Sequence, residues 1–153
     1  MLTAQSDTLH FEKLNKLVNG TYPVVVTTDI RSTKQFYTQW LNYKVVFEST
    51  WFLLLAPPGE NSSLIAFMNE EHPSTPPSPK ATKGEGMFLT IEVSSARQLH
   101  HALKTSGAVF SYELKDEPWG QRRFSLTDPN GIWIDIVEQI QPTEGWWDQY
   151  AVQ

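Results

Sequence analysis

The chain has no cysteine, and its 153 residues include only four histidines. The first absence excludes disulfides, zinc–thiolate sites, iron–sulfur clusters and a cysteine nucleophile. Charge is also sparse, at 19% of residues, with 12 Lys and Arg against 17 Asp and Glu. A net charge of −5 argues against a nucleic-acid partner, which needs clustered cations along a phosphate backbone. No apolar run approaches the ~20 residues that cross a bilayer, so no membrane partner is expected. No basic stretch followed by an apolar one suggests secretion, and a cytoplasmic setting is expected. There is no Gly-x-Ser-x-Gly elbow. Gly84-Glu85-Gly86 leads into a strand pattern rather than a helix, so it is no phosphate loop. Glu70-Glu71 and Asp116-Glu117 fall in loop-like stretches and read as solvated.

What the chain does have is aromatic and turn chemistry, including six tryptophans and ten prolines. The most informative stretch runs from Trp119 to Asp135. It reads as two strands joined by Asp128-Pro129-Asn130-Gly131, with Pro129 presetting φ and Gly131 supplying a permissive backbone. After the turn, Ile132, Ile134 and Ile136 share one strand face, and Trp133, Asp135 and Val137 share the other. An acid in the middle of so apolar a strand needs a reason. On the strand before the turn, Arg122 shares a face with Phe124 and Leu126, and Arg123 points the other way.

The wider pattern is a repeat. A strand over Tyr22–Thr28 leads to Asp29, which caps a helix carrying Ile30, Phe36, Tyr37, Trp40 and Leu41 at helical spacing. Asn42 is placed for a left-handed helix end. Strand-like runs follow at Lys44–Glu48, Trp51–Ala56 and Ser63–Met68, with Pro57-Pro58-Gly59 as a turn. Residues 69–85 are polar and proline-rich, which marks a linker. The order then recurs: a strand at Met87–Val93, a helix capped by Ser94 or Ser95 and ended by Gly107, and strands at Val109–Leu114, Arg122–Thr127 and Ile132–Glu138. Strand parity sends Phe88, Thr90 and Glu92 to an open face and Met87, Leu89, Ile91 and Val93 beneath the helices. The expected organisation is an extension over 1–20, modules over 21–68 and 86–140, and a tail over 141–153. Leu9, Leu14, Leu17 and Val18 suggest that the extension is a weakly amphipathic helix docking at an edge, and Trp146, Trp147 and Tyr150 suggest a tail that covers an edge or a partner.

This duplicated order, with Asp29 ahead of Phe36-Tyr37 and the Asp-Pro-Asn-Gly hairpin, resembles the vicinal oxygen chelate superfamily of glyoxalases, extradiol dioxygenases and bleomycin-resistance proteins. The resemblance covers roughly Tyr22 to Ile140. It implies an α+β fold in which two β-α-β-β-β modules form a U-shaped, mixed-sheet half-barrel cleft, usually in a homodimer. It also implies four metal-ligand positions, which fall on Tyr22, Ala66, Phe88 and Asp135. Only Asp135 suits a divalent metal, and slipping by one residue offers Pro23, Ile65, Phe67, Met87 or Leu89, which are no better. His10 lies in the extension, His72 in the linker, and His100 and His101 on the second helix, all away from the open strand faces. No cofactor is expected.

The Trp119-Gly120-Gln121-Arg122 run and Pro23 look like the antibiotic-binding branch of that superfamily. The resemblance therefore implies a metal-independent protein that sequesters a small planar or hydrophobic ligand, as antibiotic-resistance members do. Tyr22, Trp51 (or Phe52), Phe88, Trp119 and Trp133 are the candidate stacking residues. Asp135 would hold a cationic or hydroxyl group, with Gln121 or Arg122 on polar edges. The alternative is an enzyme of the same superfamily, a glyoxalase-like lyase or isomerase or a dioxygenase using a divalent metal. A third reading is a module whose cleft is vestigial and whose Trp146-Trp147 tail binds a protein.

Overall fold

A computed structural model describes residues 12–13, 15–60, 62–74, 76–77 and 79–152. Among these residues, eight strands form two four-stranded sheets, neither closed into a barrel. The first sheet holds β1 (Val24–Thr27), β2 (Lys44–Glu48), β3 (Phe52–Ala56) and β4 (Ile65–Asn69), in the order β1-β4-β3-β2. The second repeats it with β5 (Phe88–Glu92), β6 (Tyr112–Glu117), β7 (Gln121–Thr127) and β8 (Trp133–Gln139), in the order β5-β8-β7-β6. In each sheet the first strand pairs parallel with the last and the remaining pairs are antiparallel. Helix α1 (Ile30–Gln39) follows β1 and helix α2 (Ala96–Thr105) follows β5. The fold is α+β, as the sequence led us to expect.

Local chemistry accounts for the helix boundaries. Asp29 Oδ1 accepts from the Ser32 backbone N–H at 3.0 Å, and Ser95 Oγ accepts from that of Gln98 at 3.3 Å. The Ser32 hydroxyl also donates to Asp29, and these bonds hold the Asp29 carboxyl below the usual carboxylate range. Asn42, at φ 55°, turns the chain into β2 in the left-handed conformation that Asn tolerates. In β2, a register shift between Val45 and Phe47 marks a bulge on this exposed edge.

The buried side chains of both modules form one contiguous core. It joins Tyr37, Leu53, Leu55 and Phe67 of the first to Phe124, Ile132, Ile134 and Ile136 of the second. Side chains of this size each contribute roughly 1.5–3 kcal/mol when fully buried. Leu89, Ile91 and Val93 pack against that core, as strand parity predicts. Met87 does not, because it precedes β5 and is 37% exposed.

Several elements depart from the sequence reading. The first strand after α2 begins at Tyr112 rather than Val109, which is 86% exposed. Leu17 and Val18 are 73% and 58% exposed, so neither docks at an edge, while Leu9, His10 and Leu14 lie outside the described residues. The tail forms a short 3-10 helix over Trp146–Tyr150. Its Trp146 ring packs on Trp119 at 5.7 Å, and Trp147 Nε1 donates to the Trp119 carbonyl at 3.0 Å. Among the described residues no helix is long and apolar enough to cross a membrane.

Candidate functional site

The hairpin β7–β8 builds the site. Its tight turn is closed by Gly131 N–H donating to the Asp128 carbonyl at 3.0 Å. The register this sets puts Ser125 opposite Asp135, Arg123 opposite Val137 and Thr127 opposite Trp133. Parallel pairing with β5 then sets Phe88 beside Trp133 and Thr90 beside Asp135. The face shared by these residues is the one turned away from the helix side, where Phe124, Ile134 and Ile136 are fully buried.

On that open face lies a cavity of about 550 Å³ lined by Gly86, Met87, Phe88, Arg123, Trp133 and Asp135. Phe88 is 62% exposed and Trp133 37%, whereas Asp135 beneath them is only 4% exposed. Both Asp135 carboxylate oxygens are engaged. Oδ1 accepts from the Ser125 hydroxyl at 2.8 Å, and Oδ2 accepts from Arg123 Nη1 at 3.2 Å. A charge so deeply placed is tolerated because a guanidinium and a hydroxyl meet it.

Arg123 is held by two carboxylates and two rings. Its Nε donates to Glu117 Oε1 at 3.1 Å, and that oxygen also accepts from the Tyr112 hydroxyl at 2.6 Å. The Tyr112 and Trp119 rings approach its guanidinium carbon with centroids at 5.1 and 5.0 Å, within cation–π range. Burial raises the Glu117 pKa, yet the hydrogen bonds from Tyr112 and Arg123 and the charges of Arg123 and Lys115 outweigh it, and the carboxyl sits below its ordinary range. Burial likewise opposes the Arg123 charge, and Glu117 and Asp135 more than offset it.

The structure brings together three of the seven candidate residues, Phe88, Trp133 and Asp135. Tyr22 stands half-exposed ahead of β1 and does not line this cavity. Trp51 stacks on the His72 ring at 4.0 Å and borders a different, smaller hollow with Thr50, Asn69, Glu71 and Pro73. Trp119 backs Arg123 from behind, its Nε1 donating to Gln121 Oε1 at 2.8 Å. Arg122 points to the opposite face. There it makes a two-pronged pair with Asp116 at 2.6 and 2.9 Å and approaches Glu138 at 3.6 Å. Alternation along β7 forces this, since the face carrying Phe124 and Leu126 is the core side. Glu92, at cleft parity, accepts from Gln139 Nε2 at 3.0 Å.

The sequence reading missed Ser125 and Tyr112, gave Arg123 a face but no role, and took Glu117 for a solvated loop residue, whereas it ends β6 and is buried. Counting symmetrically outward from Asn130, rather than from the four turn residues as a block, sets Ser125 across from Asp135 and Arg123 one pleat further along, which is the signal that could have found two of them.

The four positions that would hold a metal in the resembling superfamily do not make a donor set. Ala66 is fully buried and Phe88 is a ring, and neither has a ligating atom. The Asp135 oxygens are already bonded to Ser125 and Arg123. Among the described residues no group of three or more His, Asp or Glu side chains could hold a metal ion.

Comparison with known proteins places this geometry. A family model described as the Glyoxalase/Bleomycin resistance protein/Dioxygenase superfamily matches residues 15–136. Among solved structures, a virulence protein of Salmonella typhimurium aligns with TM-score 0.65 at 17% identity, covering 81% of this chain and 98% of that one. A Glyoxalase/bleomycin resistance protein/dioxygenase superfamily member from Sphaerobacter thermophilus aligns with TM-score 0.63 at 20% identity, covering 81% and 99%. A bleomycin resistance determinant encoded on the transposon Tn5 aligns with TM-score 0.55 at 16% identity, covering 80% and 98%. No curated protein matches the chain.

Proposed function

The chain belongs to the glyoxalase/bleomycin resistance protein/dioxygenase superfamily, and we propose that within it this protein is a metal-independent binder that sequesters a small planar ligand. The observation that carries this reading is the pairing of Phe88 with Trp133 over a carboxylate already neutralised by Arg123. Two exposed residues with rings on neighbouring strands, above a buried carboxylate balanced by Arg123, suit an aromatic molecule lying flat. Each stacked pair contributes about 0.5–1.5 kcal/mol beyond the area it buries. Sequestration asks nothing more of the site than exclusion of water from that molecule. The likeness to a bleomycin resistance determinant is compatible with a drug-like ligand and a protective role in the cytoplasm.

A second copy of the chain completes the cleft in this reading. Val24 and Phe47 on the first sheet are 45% and 54% exposed, and Phe88 and Trp133 on the second are also left open. Apolar surface of this extent favours association, and an isologous dimer lays the first sheet of one copy over the second sheet of the other. Light scattering on the purified protein reads the mass directly, and a monomer at micromolar concentration contradicts this part of the proposal.

The test of the binding reading is quenching of intrinsic tryptophan fluorescence by a panel of planar aromatic compounds. At least one compound should quench saturably, and Trp133→Ala and Phe88→Ala should each weaken it. Saturable binding unchanged in both variants removes the reading.

A further inference from the structure

Resting on the reading of the Phe88–Trp133 cavity as a ligand site, we propose that it recognises its ligand through an acceptor oxygen, donated to by the free edge of Arg123, and that the ligand is uncharged. The polarity is the reverse of what Asp135 suggests from sequence. A lone buried carboxylate would select a cation or a hydroxyl, but here both its oxygens already accept hydrogen bonds.

The donors of Arg123 are not exhausted. A guanidinium carries five N–H groups in a rigid planar fork. Nε serves Glu117 and Nη1 serves Asp135, and Nη2 has no partner among the described residues. The side chain is 27% exposed and lines the cavity, so this remaining edge is reachable. Tyr112 and Trp119 flank the guanidinium, and two carboxylates fix its orientation. A donor so positioned loses little freedom when it takes up an acceptor.

Charge decides which acceptor. Arg123 is already shared between Asp135 and Glu117, and Lys115 reaches Glu117 at 3.9 Å with 63% of its side chain in solvent. Two cations and two carboxylates leave the cluster balanced. A carboxylate or phosphate on the ligand would become the third anion around one guanidinium. A carbonyl oxygen conjugated to a flat ring system avoids that repulsion. It also lets the ring cover Phe88 and Trp133 while the oxygen reaches Nη2. The ligand class is therefore a neutral, conjugated aromatic ketone, lactone or lactam.

The experiment is calorimetric titration of the full chain with 7-methoxycoumarin and with 2-methoxynaphthalene, two bicyclic rings that differ in the ring carbonyl. A hydrogen bond to a charged group leads us to expect at least about tenfold tighter binding of the coumarin. The preference should vanish in the double variant Arg123→Met with Asp135→Asn, which removes the donor and the Asp135 charge it balances, while Glu117 keeps the Tyr112 hydroxyl and Lys115. Should that variant not fold, the comparison in the unaltered protein still decides. Equal affinity for the two probes overturns the role of Arg123 while leaving the aromatic cleft standing. If neither they nor any planar compound binds, the cleft reading fails and takes this inference with it. Coumarin-3-carboxylate binding more than tenfold tighter than 7-methoxycoumarin overturns the assignment of an uncharged ligand.

Discussion

Tyr37 on α1 donates its hydroxyl hydrogen to Oδ2 of Asp128, at 2.9 Å and across 91 positions of the chain. The phenol is fully buried, and burial together with the neighbouring Asp128 charge pushes its pKa far above the ordinary tyrosine value. Asp128 also accepts from the backbone N–H groups of Asn130 and Ile132, each at 2.8 Å. Asn130 in turn bonds Thr27 and Thr33 of the first module, at 2.5 and 3.1 Å. The turn that sets the register of the site hairpin is thereby fastened to the helix of the other module.

Tyr37→Phe should cost about 1.5–3 kcal/mol, the range for a hydrogen bond to a charged group. Urea unfolding should show a lower midpoint with an unchanged slope. A loss below about 0.5 kcal/mol means that the bond is not holding the modules together.

Gly84→Ala should destabilise by more than an ordinary glycine replacement. Gly84 has φ +77°, and an added Cβ would run into the Gly131 carbonyl oxygen. The linker must then lift off the hairpin turn. Thermal unfolding should give a clearly lower midpoint, whereas Gly107→Ala, with open space around it, should suffer only the strain of its positive φ.

Acid should loosen the site through Glu117. Its carboxyl titrates below its ordinary value in the folded chain, so the stability it supplies is complete above the unfolded value of 4.5 and lost as pH falls through the lower folded one. Unfolding midpoints measured from pH 7 down to pH 3 should fall less steeply in Glu117→Gln than in the parent. Parallel profiles contradict the depressed pKa.

Much of the fold was legible because its signals are local. Asp29 and Ser95 cap their helices through bonds to residues three positions on, and Lys44–Glu48 forms a strand over the span its pattern predicts. The Asp-Pro-Asn-Gly turn is equally local. The site was legible only in part, because its wiring runs across strands. Alternation assigns Arg122 and Arg123 to opposite faces, but which face is open depends on where α2 packs. Tyr112, Glu117 and Trp119 reach Arg123 from outside β7, so no periodicity within that strand reveals them. Trp119 reads in sequence as a stacking residue of the cleft, yet its ring lies against Arg123 and Trp146 of the tail packs on it.

Trp119→Ala should change binding without touching the ligand. Its ring braces Arg123 and seats Trp146, so its loss frees the guanidinium and the tail together. We expect weaker affinity for 7-methoxycoumarin with smaller loss for 2-methoxynaphthalene, read by calorimetry. Equal losses for the two probes assign Trp119 a general packing role instead.

The central claim is that an aromatic cleft works here without a metal. Thermal unfolding of chelator-stripped protein, alone and with Ni²⁺, Mn²⁺, Zn²⁺, Fe²⁺ or 7-methoxycoumarin, tests it most directly. A ligand at about 100 times its dissociation constant stabilises the folded state by ~2.7 kcal/mol, which is a readily measured shift. The account predicts a rise with the coumarin and none with any metal. A rise with one metal that Asp135→Asn abolishes contradicts it.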